Sequence, residues 1–497
     1  MAGRFGLVKL GPPIEVFALN KAFLEDENPN KVNLGVGAYR TNEGKPWVLP
    51  VVKKVEKDLA ADETQNHEYL PVLGLEAFTQ AATTMLLGAN NSAVTEGRAF
   101  GVQTLSGTGA LRVGAEFLSR ILKLNTFYYS KPTWENHHLV FVNAGFTDPR
   151  TYRYWDPETK SIDFKGMCED IKNAPENSVI ILHACAHNPT GCDPTREQWM
   201  ELAEIMKLSY VSSVLKMSDS SGSVSHCLAF PQPETRPETN IFVVHVDETS
   251  REETEGHGES KNLEVVQVHN AGPLKKRLGS LKIPRKHQNT WIEKKLFTFF
   301  DSAYQGFASG DLDEDAWAVR YFAEKGFEML ASQSFAKNFG LYNERVGNLT
   351  FVVSDKSAVA PTKSQVTLIV RGMYSNPPNH GCRIVATVLK NPILYNEWKE
   401  CIRIMSGRIK EMRKGLKERL QTLKTPNANK WNHITDQIGM FSYSGLTTQQ
   451  VEYIVQRHHI YMLKSGRMNM CGLTTNNLDY VAAAIHDAVT TTSIQQS

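Results

Sequence analysis

One stretch of the chain places a lysine where it could act as a covalent catalyst. The run 332–345 holds Lys337 three residues after the hydroxyl of Ser334 and eight residues before the guanidinium of Arg345. A lysine becomes such a catalyst when its amine forms a Schiff base with a carbonyl. Most lysines are solvated surface residues, but the residues beside Lys337 are apolar or small, and this favours a buried amine.

A carboxylate is expected at the end of a buried strand upstream. The segment 296–300 is almost entirely apolar, which is typical of a strand covered on both faces, and Asp301 follows it. Ligands of open parallel sheets bind at the carboxyl ends of strands. Pyridoxal phosphate would pair its ring nitrogen with Asp301 and its phenolic oxygen with Tyr304, unless Tyr304 is a hydrogen-bonded core residue. Its phosphate would use the hydroxyl of Ser334 and the planar guanidinium of Arg345.

A third segment predicts a phosphate site. The apolar strand pattern of 100–105 runs into Ser106, Gly107 and Thr108, where an amphipathic helix begins. Small residues at a helix N-terminus offer free N–H groups and the positive end of the helix dipole to an anion. A dinucleotide site could begin similarly, but the G-x-G-x-x-G pattern is not met because Arg112 stands at its last position.

Two more side chains suit an aromatic cofactor. Trp134 offers a flat face on which a pyridine ring could stack, although a core tryptophan is about equally compatible with the sequence alone. Asn188 follows the predicted strand 178–185 and offers an amide to the phenolic oxygen. His183 and His187 fit interior hydrogen-bonded histidines better than metal ligands. No cluster has zinc spacing, so no metal is expected.

Taken together, these motifs resemble the fold-type-I family of pyridoxal-phosphate-dependent aminotransferases, in its cytosolic branch specific for aspartate. The resemblance covers nearly all of 1–207 and 293–497. It implies an α/β fold: a three-layer α/β/α sandwich with a mainly parallel sheet, plus a smaller α+β domain. The large cofactor-binding domain would comprise 46–404. The small domain would comprise 1–45, which includes an N-terminal arm, together with 405–497.

The resemblance also assigns residues to the substrate. Gly37 would belong to a flap over the substrate, and Phe441 would lie near it. Arg467 would hold the α-carboxylate, and Arg371 would reach from the other subunit to the distal carboxylate. Two arginines that each grip a carboxylate bidentately imply dicarboxylic amino-acid and oxo-acid substrates. Tyr69 would cross the interface of a homodimer to the partner's cofactor phosphate, so the active sites would be shared.

The implied reaction is ping-pong amino transfer through a Schiff base between Lys337 and pyridoxal phosphate. L-Aspartate and 2-oxoglutarate would give oxaloacetate and L-glutamate. Lys337 would move the proton at Cα, with Asp301 and Tyr304 as the other catalytic residues. Trp134 and Asn188 would contact the substrate as well as the cofactor. The resemblance further implies that the Asn188-Pro189 bond is cis.

Composition limits the location and the partners. A length of 497 residues allows two or more domains, and a net charge of +2 does not favour nucleic acid or an acidic membrane. No segment approaches the roughly 18 apolar residues of a membrane span, and the N-terminus has no signal-peptide core. Seven cysteines without a C-x-x-C pair favour a reducing compartment. We therefore expect a cytoplasmic enzyme of amino-acid metabolism.

The segment 208–292 departs from the family pattern. It is serine-rich over 209–225, carries several prolines in 231–237 and is acidic over 247–259. Only 240–246 predicts a strand. We expect a mostly disordered insert that leaves the site intact, because a long surface loop costs little closure entropy. It could equally be untranslated sequence retained in a gene model.

Two other functions stay open at this point. One is a related aminotransferase that prefers aromatic or kynurenine-type substrates. The other is a non-catalytic binding protein in which the insert has abolished cofactor loading. Amino-donor profiling separates the first from the aspartate-specific interpretation, and a visible absorption band that borohydride removes would exclude the second.

Overall fold

The computed structural model describes residues 3–207, 296–426 and 431–494, and also the strand backbones at 215–218, 224–229, 241–245 and 264–267. The chain divides into two compact units. The first consists of Met1–Ala174, Ser178–Leu202 and Phe297–Ser497, and the second consists of Pro175–Asn177 and Ala203–Leu296.

A seven-stranded sheet forms the centre of the first unit. Its strands are β2 (Ala99–Leu105), β3 (Thr126–Lys131), β4 (Asp148–Arg153), β7 (Val179–His183), β12 (Phe297–Ser302), β13 (Met329–Ser334) and β14 (Val346–Val352). Their order is β2–β14–β13–β12–β7–β3–β4. Neighbours from β13 to β4 run parallel, whereas β14 is antiparallel to both β13 and β2. The sheet is therefore mainly parallel, as expected.

Helices surround the sheet, and all of the described ones lie in the first unit except for residues 203–207, which the second unit contains. In the described part of the chain they are α1 (Glu15–Glu25), α2 (Pro50–Ala61), α3 (Glu76–Leu87), α4 (Ser92–Thr95), α5 (Ser106–Arg120), α6 (Asn136–Asn143), α7 (Phe164–Lys172), α8 (Arg196–Lys207), α9 (Leu312–Asp315), α10 (Trp317–Glu324), α11 (Val359–Met373), α12 (His380–Lys390), α13 (Pro392–Thr422), α14 (His433–Asp436), α15 (Thr448–His458) and α16 (Leu478–Ile494). Short strand pairs join β1 (Val32–Asn33) to β16 (Ile460–Tyr461), β5 (Trp155–Asp156) to β6 (Ser161–Ile162), and β15 (Phe441–Tyr443) to β17 (Arg467–Asn469).

Burial on both faces explains why the central strands are apolar. Every residue of β7, β13 and β14 is buried. One hydrophobic cluster joins the sheet to α5, α6 and α11, and another contains buried side chains of α2, α3, α12 and α13. These two cores on a mainly parallel sheet confirm the predicted three-layer architecture.

The sequence located several of these elements to within a few residues. The strands expected at 296–300, 100–105 and 178–185 are β12, β2 and β7. Asn391 caps α13 by accepting hydrogen bonds from the N–H groups of Ile393 and Leu394. Helix α5 ends at Arg120, and Leu122 beyond its end is 45% exposed. The division into a large and a small domain stays a prediction.

The second unit contains a four-stranded antiparallel sheet. Its strands β8 (Leu215–Ser218), β9 (Val224–Ala229), β10 (Ile241–His245) and β11 (Glu264–Gln267) follow the order β11–β10–β9–β8. The expected strand at 240–246 corresponds to β10, but the expectation of a single strand was wrong. Pairing with a neighbour defines the other three strands, and this information is not local in sequence. The remainder of 208–292, on which the expectation of disorder falls, lies outside the described residues.

No helix in the described part of the chain is both long enough and apolar enough to cross a membrane.

Candidate active site

A cavity of about 470 Å³ opens where the central parallel strands end. Asp301 and His183, which pair across β12 and β7, both line it. The predicted site residues around this cavity are Gly37, Ser106, Gly107, Thr108, Trp134, Asn188, Asp301, Tyr304, Ser334, Lys337, Arg345, Phe441 and Arg467. Segments from distant parts of the sequence therefore meet at the edge of the sheet where ligands of such folds bind.

Two predicted residues lie outside the cavity in the single chain. Tyr69 is 87% exposed, and Arg371 is exposed on α11, where its guanidinium donates a hydrogen bond to the Ser375 hydroxyl. Neither residue lines the cavity that contains Lys337. A site that includes them would need a second copy of the chain.

Lys337 is held between two buried aromatic anchors in the turn after β13. Phe335 and Phe339 are each 1% exposed, and the amine of Lys337 lies 5.0 Å from the centre of the Tyr304 ring. Burial lowers the pKa of Lys337 to about 8, although the Asp301 carboxylate opposes this shift. The amine can therefore lose its proton near neutral pH.

Asp301 is an ionised carboxylate in a buried position. Burial by itself raises the pKa of its carboxyl, but the hydrogen bond from His137, the electrostatic effect of the His137 and His183 rings and the hydrogen bond from Ser332 outweigh this effect, so the pKa lies below its ordinary value. His137 Nε2 lies 2.9 Å from Asp301 Oδ2, and the Ser332 hydroxyl donates to Oδ1 at 3.0 Å. Because the pKa is lowered, the negative charge persists at neutral pH.

A line of hydrogen bonds continues behind His137. The backbone N–H of Asn188 donates to His183 Nδ1 at 3.2 Å, and burial holds the pKa of His183 well below its ordinary value. Neutral His183 therefore carries its proton on Nε2, which lies 3.3 Å from the Thr133 hydroxyl oxygen. That hydroxyl can donate to His137 Nδ1 at 2.9 Å, which leaves the His137 Nε2 proton directed at Asp301. All donors then point towards the carboxylate, an arrangement that strengthens each bond.

The opposite end of the cavity has the features of an anion site. Ser106 begins α5, and its hydroxyl lies 3.1 Å from that of Ser334. The first N–H groups of a helix lack intrahelical partners, and the backbone of Ser106 is tied to the carbonyl of Arg345 at 3.0 Å. A Cβ added to Gly107 would lie 3.0 Å from the Ser334 Cβ, so this close approach favours glycine.

Arg467 is a buried guanidinium with spare hydrogen-bonding capacity. Its Nη2 donates to the Gly35 carbonyl at 2.7 Å and its Nη1 to Asn188 Oδ1 at 3.3 Å, but its Nε has no partner among the described residues. The ring of Phe441 lies 4.3 Å from the guanidinium carbon. In the part of the chain that the structure describes, Arg467 forms no ion pair, and a buried unpaired cation suits a carboxylate ligand.

These residues fit pyridoxal phosphate. A buried amine for the aldehyde, an ionised acid for the ring nitrogen and a hydroxyl-lined helix N-terminus for the phosphate surround one cavity. Asn188 Nδ2 lies 3.4 Å from the Tyr304 hydroxyl, so both groups are close enough to share one oxygen atom of a ligand. The fold and this constellation define a pyridoxal-phosphate enzyme of fold type I.

Comparison with known proteins gives the family. The model of the family "Aminotransferase class I and II" matches residues 29–212 and 287–485. The cytoplasmic aspartate aminotransferase of Gallus gallus is 47% identical over 494 residues, which cover 98% of this chain and 99% of that protein. The chain therefore belongs to the aminotransferase class I and II family and is a transaminase that uses pyridoxal phosphate.

Solved structures agree with this assignment. The cytoplasmic aspartate aminotransferase of Saccharomyces cerevisiae superimposes with a TM-score of 0.78 at 36% identity, over 98% of this chain and 99% of that one. An aromatic-amino-acid aminotransferase from Burkholderia pseudomallei, covalently bound to pyridoxal phosphate, gives a TM-score of 0.78 at 32% identity, over 98% of this chain and all of that one (100%).

Sequence reasoning missed the supports of the site. It did not anticipate the roles of Thr133 and Ser332, whose hydroxyls orient His137 and Asp301. A hydroxyl four residues before a histidine is too common a pattern to stand out. The expected cis bond before Pro189 is present, and a second one, before Pro132, was not predicted.

The Thr133 hydroxyl provides a test of the hydrogen-bonded line. Thr133→Val leaves His137 Nδ1 and His183 Nε2 without their shared partner, and an unsatisfied buried polar group costs about 1–3 kcal/mol. We expect the affinity for pyridoxal phosphate to fall about tenfold, measured by titrating cofactor-free protein. Thr133→Ser keeps the hydroxyl and should stay within about twofold of the original. Equal affinities of the two variants would contradict the role given to this line.

Proposed function

We propose that the protein transfers the amino group of L-aspartate to 2-oxoglutarate, giving oxaloacetate and L-glutamate. The observation that carries this proposal is the buried Arg467, whose Nε has no partner among the described residues, in the same cavity as Lys337 and Asp301. The relative with 47% identity is named an aspartate aminotransferase, whereas the aromatic-specific structure is 32% identical. Arg467 accounts for the α-carboxylate that every amino-acid donor carries, and the higher identity to the aspartate aminotransferase favours a dicarboxylic substrate over the aromatic alternative.

The cofactor would be held at both ends. Its phosphate would bind at the N-terminus of α5, to Ser106, Gly107 and Thr108, and to the side chains of Ser334 and Arg345 beside it. Asp301 would pair with the ring nitrogen, Asn188 and Tyr304 with the phenolic oxygen, and Trp134 would stack on the ring. When bound, pyridoxal phosphate supplies a carbonyl for the amino group and a ring that accepts the electrons released at Cα.

The protein's own groups bind the substrate and move the proton. Arg467 would hold the α-carboxylate through its free donor and fix the direction of the Cα–H bond. The amine of Lys337, whose pKa of about 8 allows the neutral form, would take the proton from Cα and return it on the product side. Gly37 and Phe441 both line the cavity beside Arg467, and a Cβ on Gly37 would lie 2.9 Å from the Phe441 ring, so this close approach favours glycine.

The active form would be a homodimer that shares its sites. Tyr69 and Arg371 lie outside the cavity of their own chain, so the partner subunit would supply them to the phosphate and to the distal carboxylate respectively. The N-terminal arm exposes Phe5, Leu7 and Leu10, with exposed fractions of 91%, 82% and 100%, and this apolar surface suits contact with a second copy. Residues 46–404 would form the large domain, and residues 1–45 together with 405–497 would form the small domain.

The names of the relatives, which are called cytoplasmic, support a cytoplasmic location for this protein.

Lys337→Ala tests the catalytic amine. Turnover of L-aspartate should fall by at least about 10³-fold, because a positioned acid–base group contributes about 10²–10⁴-fold. The measurement is oxaloacetate formation from purified protein supplied with pyridoxal phosphate. The unaltered protein should show a visible absorption band. Borohydride should remove this band and leave the cofactor attached to Lys337, and the variant should lack the band. Lys57→Ala, at an exposed position of α2, should change nothing. Colourless unaltered protein, or faster turnover of aromatic donors than of L-aspartate, would refute the proposal.

Mixing of inactive variants tests the shared site. Lys337→Ala and Arg371→Ala chains, each inactive alone, are unfolded together, refolded and assayed. If Arg371 acts on the partner's site, about one quarter of the activity returns, because about half of the dimers are mixed and each contains one intact site.

The matched control pairs Lys337→Ala with Arg467→Ala. Arg467 lines the same cavity as Lys337 within one chain, so every site in a mixed dimer keeps one defect and activity should stay absent. Recovery with Arg467→Ala, or none with Arg371→Ala, would overturn the assignment of subunits.

A further inference from the structure

Arg413 is a buried cation without an acidic partner in the described residues. It lies on α13, is 3% exposed, and burial lowers its pKa to about 10. Within the described residues its guanidinium donates only to backbone carbonyls: Nη1 to Ile434 at 2.8 Å, and Nη2 to Gly439 at 2.9 Å and to Phe441 at 2.5 Å, while Nε has no partner there. A charge placed inside a protein in this way is costly. The position of the backbone segment that Arg413 binds, residues 434–441, indicates the role of this buried charge.

That segment, 434–441, is fixed on its other side as well. The N–H of Ile438 donates to the Gly191 carbonyl at 2.7 Å. Gly191 has φ of +67°, and a Cβ there would lie 2.6 Å from the Phe441 carbonyl oxygen. A Cβ on Gly439 would lie 2.4 Å from the Cβ of Ala186. The segment is therefore clamped between Arg413 and the loop that carries Asn188.

The end of this segment contacts the carboxylate-binding arginine. The Phe441 ring lies 4.3 Å from the Arg467 guanidinium carbon and 5.8 Å from the Tyr304 ring, which it meets edge to face. The carbonyl that Arg413 binds belongs to the same residue. A shift of the Phe441 backbone would therefore move the surface on which Arg467 rests.

We propose that Arg413 is a positioning residue for substrate binding: its three bonds to the 434–441 backbone fix Phe441, and Phe441 fixes the guanidinium of Arg467. The proposal rests on the proposed function, in which Arg467 holds the substrate carboxylate. It assigns Arg413 no contact with substrate or cofactor. Charge-assisted bonds hold carbonyls more firmly than neutral ones, which explains the use of a guanidinium where a neutral side chain could have filled the space.

The test compares KM with kcat in Arg413→Lys and Arg413→Met. Lysine keeps the charge but cannot span three carbonyls in the fixed geometry of a guanidinium. We expect KM for L-aspartate and for 2-oxoglutarate to rise about tenfold in Arg413→Met and less in Arg413→Lys, with kcat within about threefold, which is the signature of lost binding. The visible cofactor band should be retained. Arg419→Met is the control on the same helix, because Arg419 makes a surface ion pair with Asp479, and its KM should not change.

KM does not depend on the fraction of correctly folded sites, so a merely structural role would lower activity and stability without changing KM. If Arg413→Met does not fold, Arg413→Lys decides by the same criterion. A double-mutant cycle with Phe441→Leu adds a second readout: if Arg413 acts through Phe441, the two effects on KM are not additive. Unchanged KM values, or additive effects, would overturn the inference. Unaltered protein without colour or turnover would instead show that the proposed function has failed.

Discussion

A carboxylate that stays ionised inside the protein is the constraint on which the site depends. Burial favours the neutral form of Asp301, and the hydrogen bonds from His137 and Ser332, together with the electrostatic effect of the His137 and His183 rings, reverse that preference. These bonds in turn require a histidine in one tautomer. The backbone N–H of Asn188, acting through His183 and Thr133, sets that tautomer. A single charge at the end of β12 is therefore supported by three separate segments of the chain.

Cations as well as further carboxylates line the rest of the cavity. Lys337, Arg345 and Arg467 face the same space as Asp301, and burial affects the two kinds of cation differently. An amine responds to desolvation by giving up its proton, which brings the pKa of Lys337 to about 8. A guanidinium keeps its charge at neutral pH even when burial lowers its pKa, as for Arg467. The cavity thus combines a proton carrier with fixed cations, which suits ligands that carry phosphate and carboxylate groups.

Arg413 extends this pattern away from the cavity. Within the described residues its guanidinium donates only to backbone carbonyls, through Nη1 and Nη2, and these carbonyls belong to the segment that leads to Phe441. Buried cations therefore serve two purposes here: some face the ligand space, and Arg413 holds the backbone that supports Arg467.

The described strands of the segment 208–292 form a separate antiparallel sheet.

Local features of the sequence determined the elements and the chemistry. An apolar run ending in Asp301, small residues at the start of α5 and apolar neighbours of Lys337 each follow from side chains a few positions apart, so they could be recognised without the fold. The aminotransferase family was likewise readable from motifs. Tertiary structure decided what depends on which distant segments meet: the roles of the Thr133 and Ser332 hydroxyls, the absence of an ion pair to Arg467 among the described residues, the bonds of Arg413, and the position of Tyr69 and Arg371 outside their own cavity. Hydrogen bonding and desolvation depend on which distant segments meet, and sequence spacing does not contain that information.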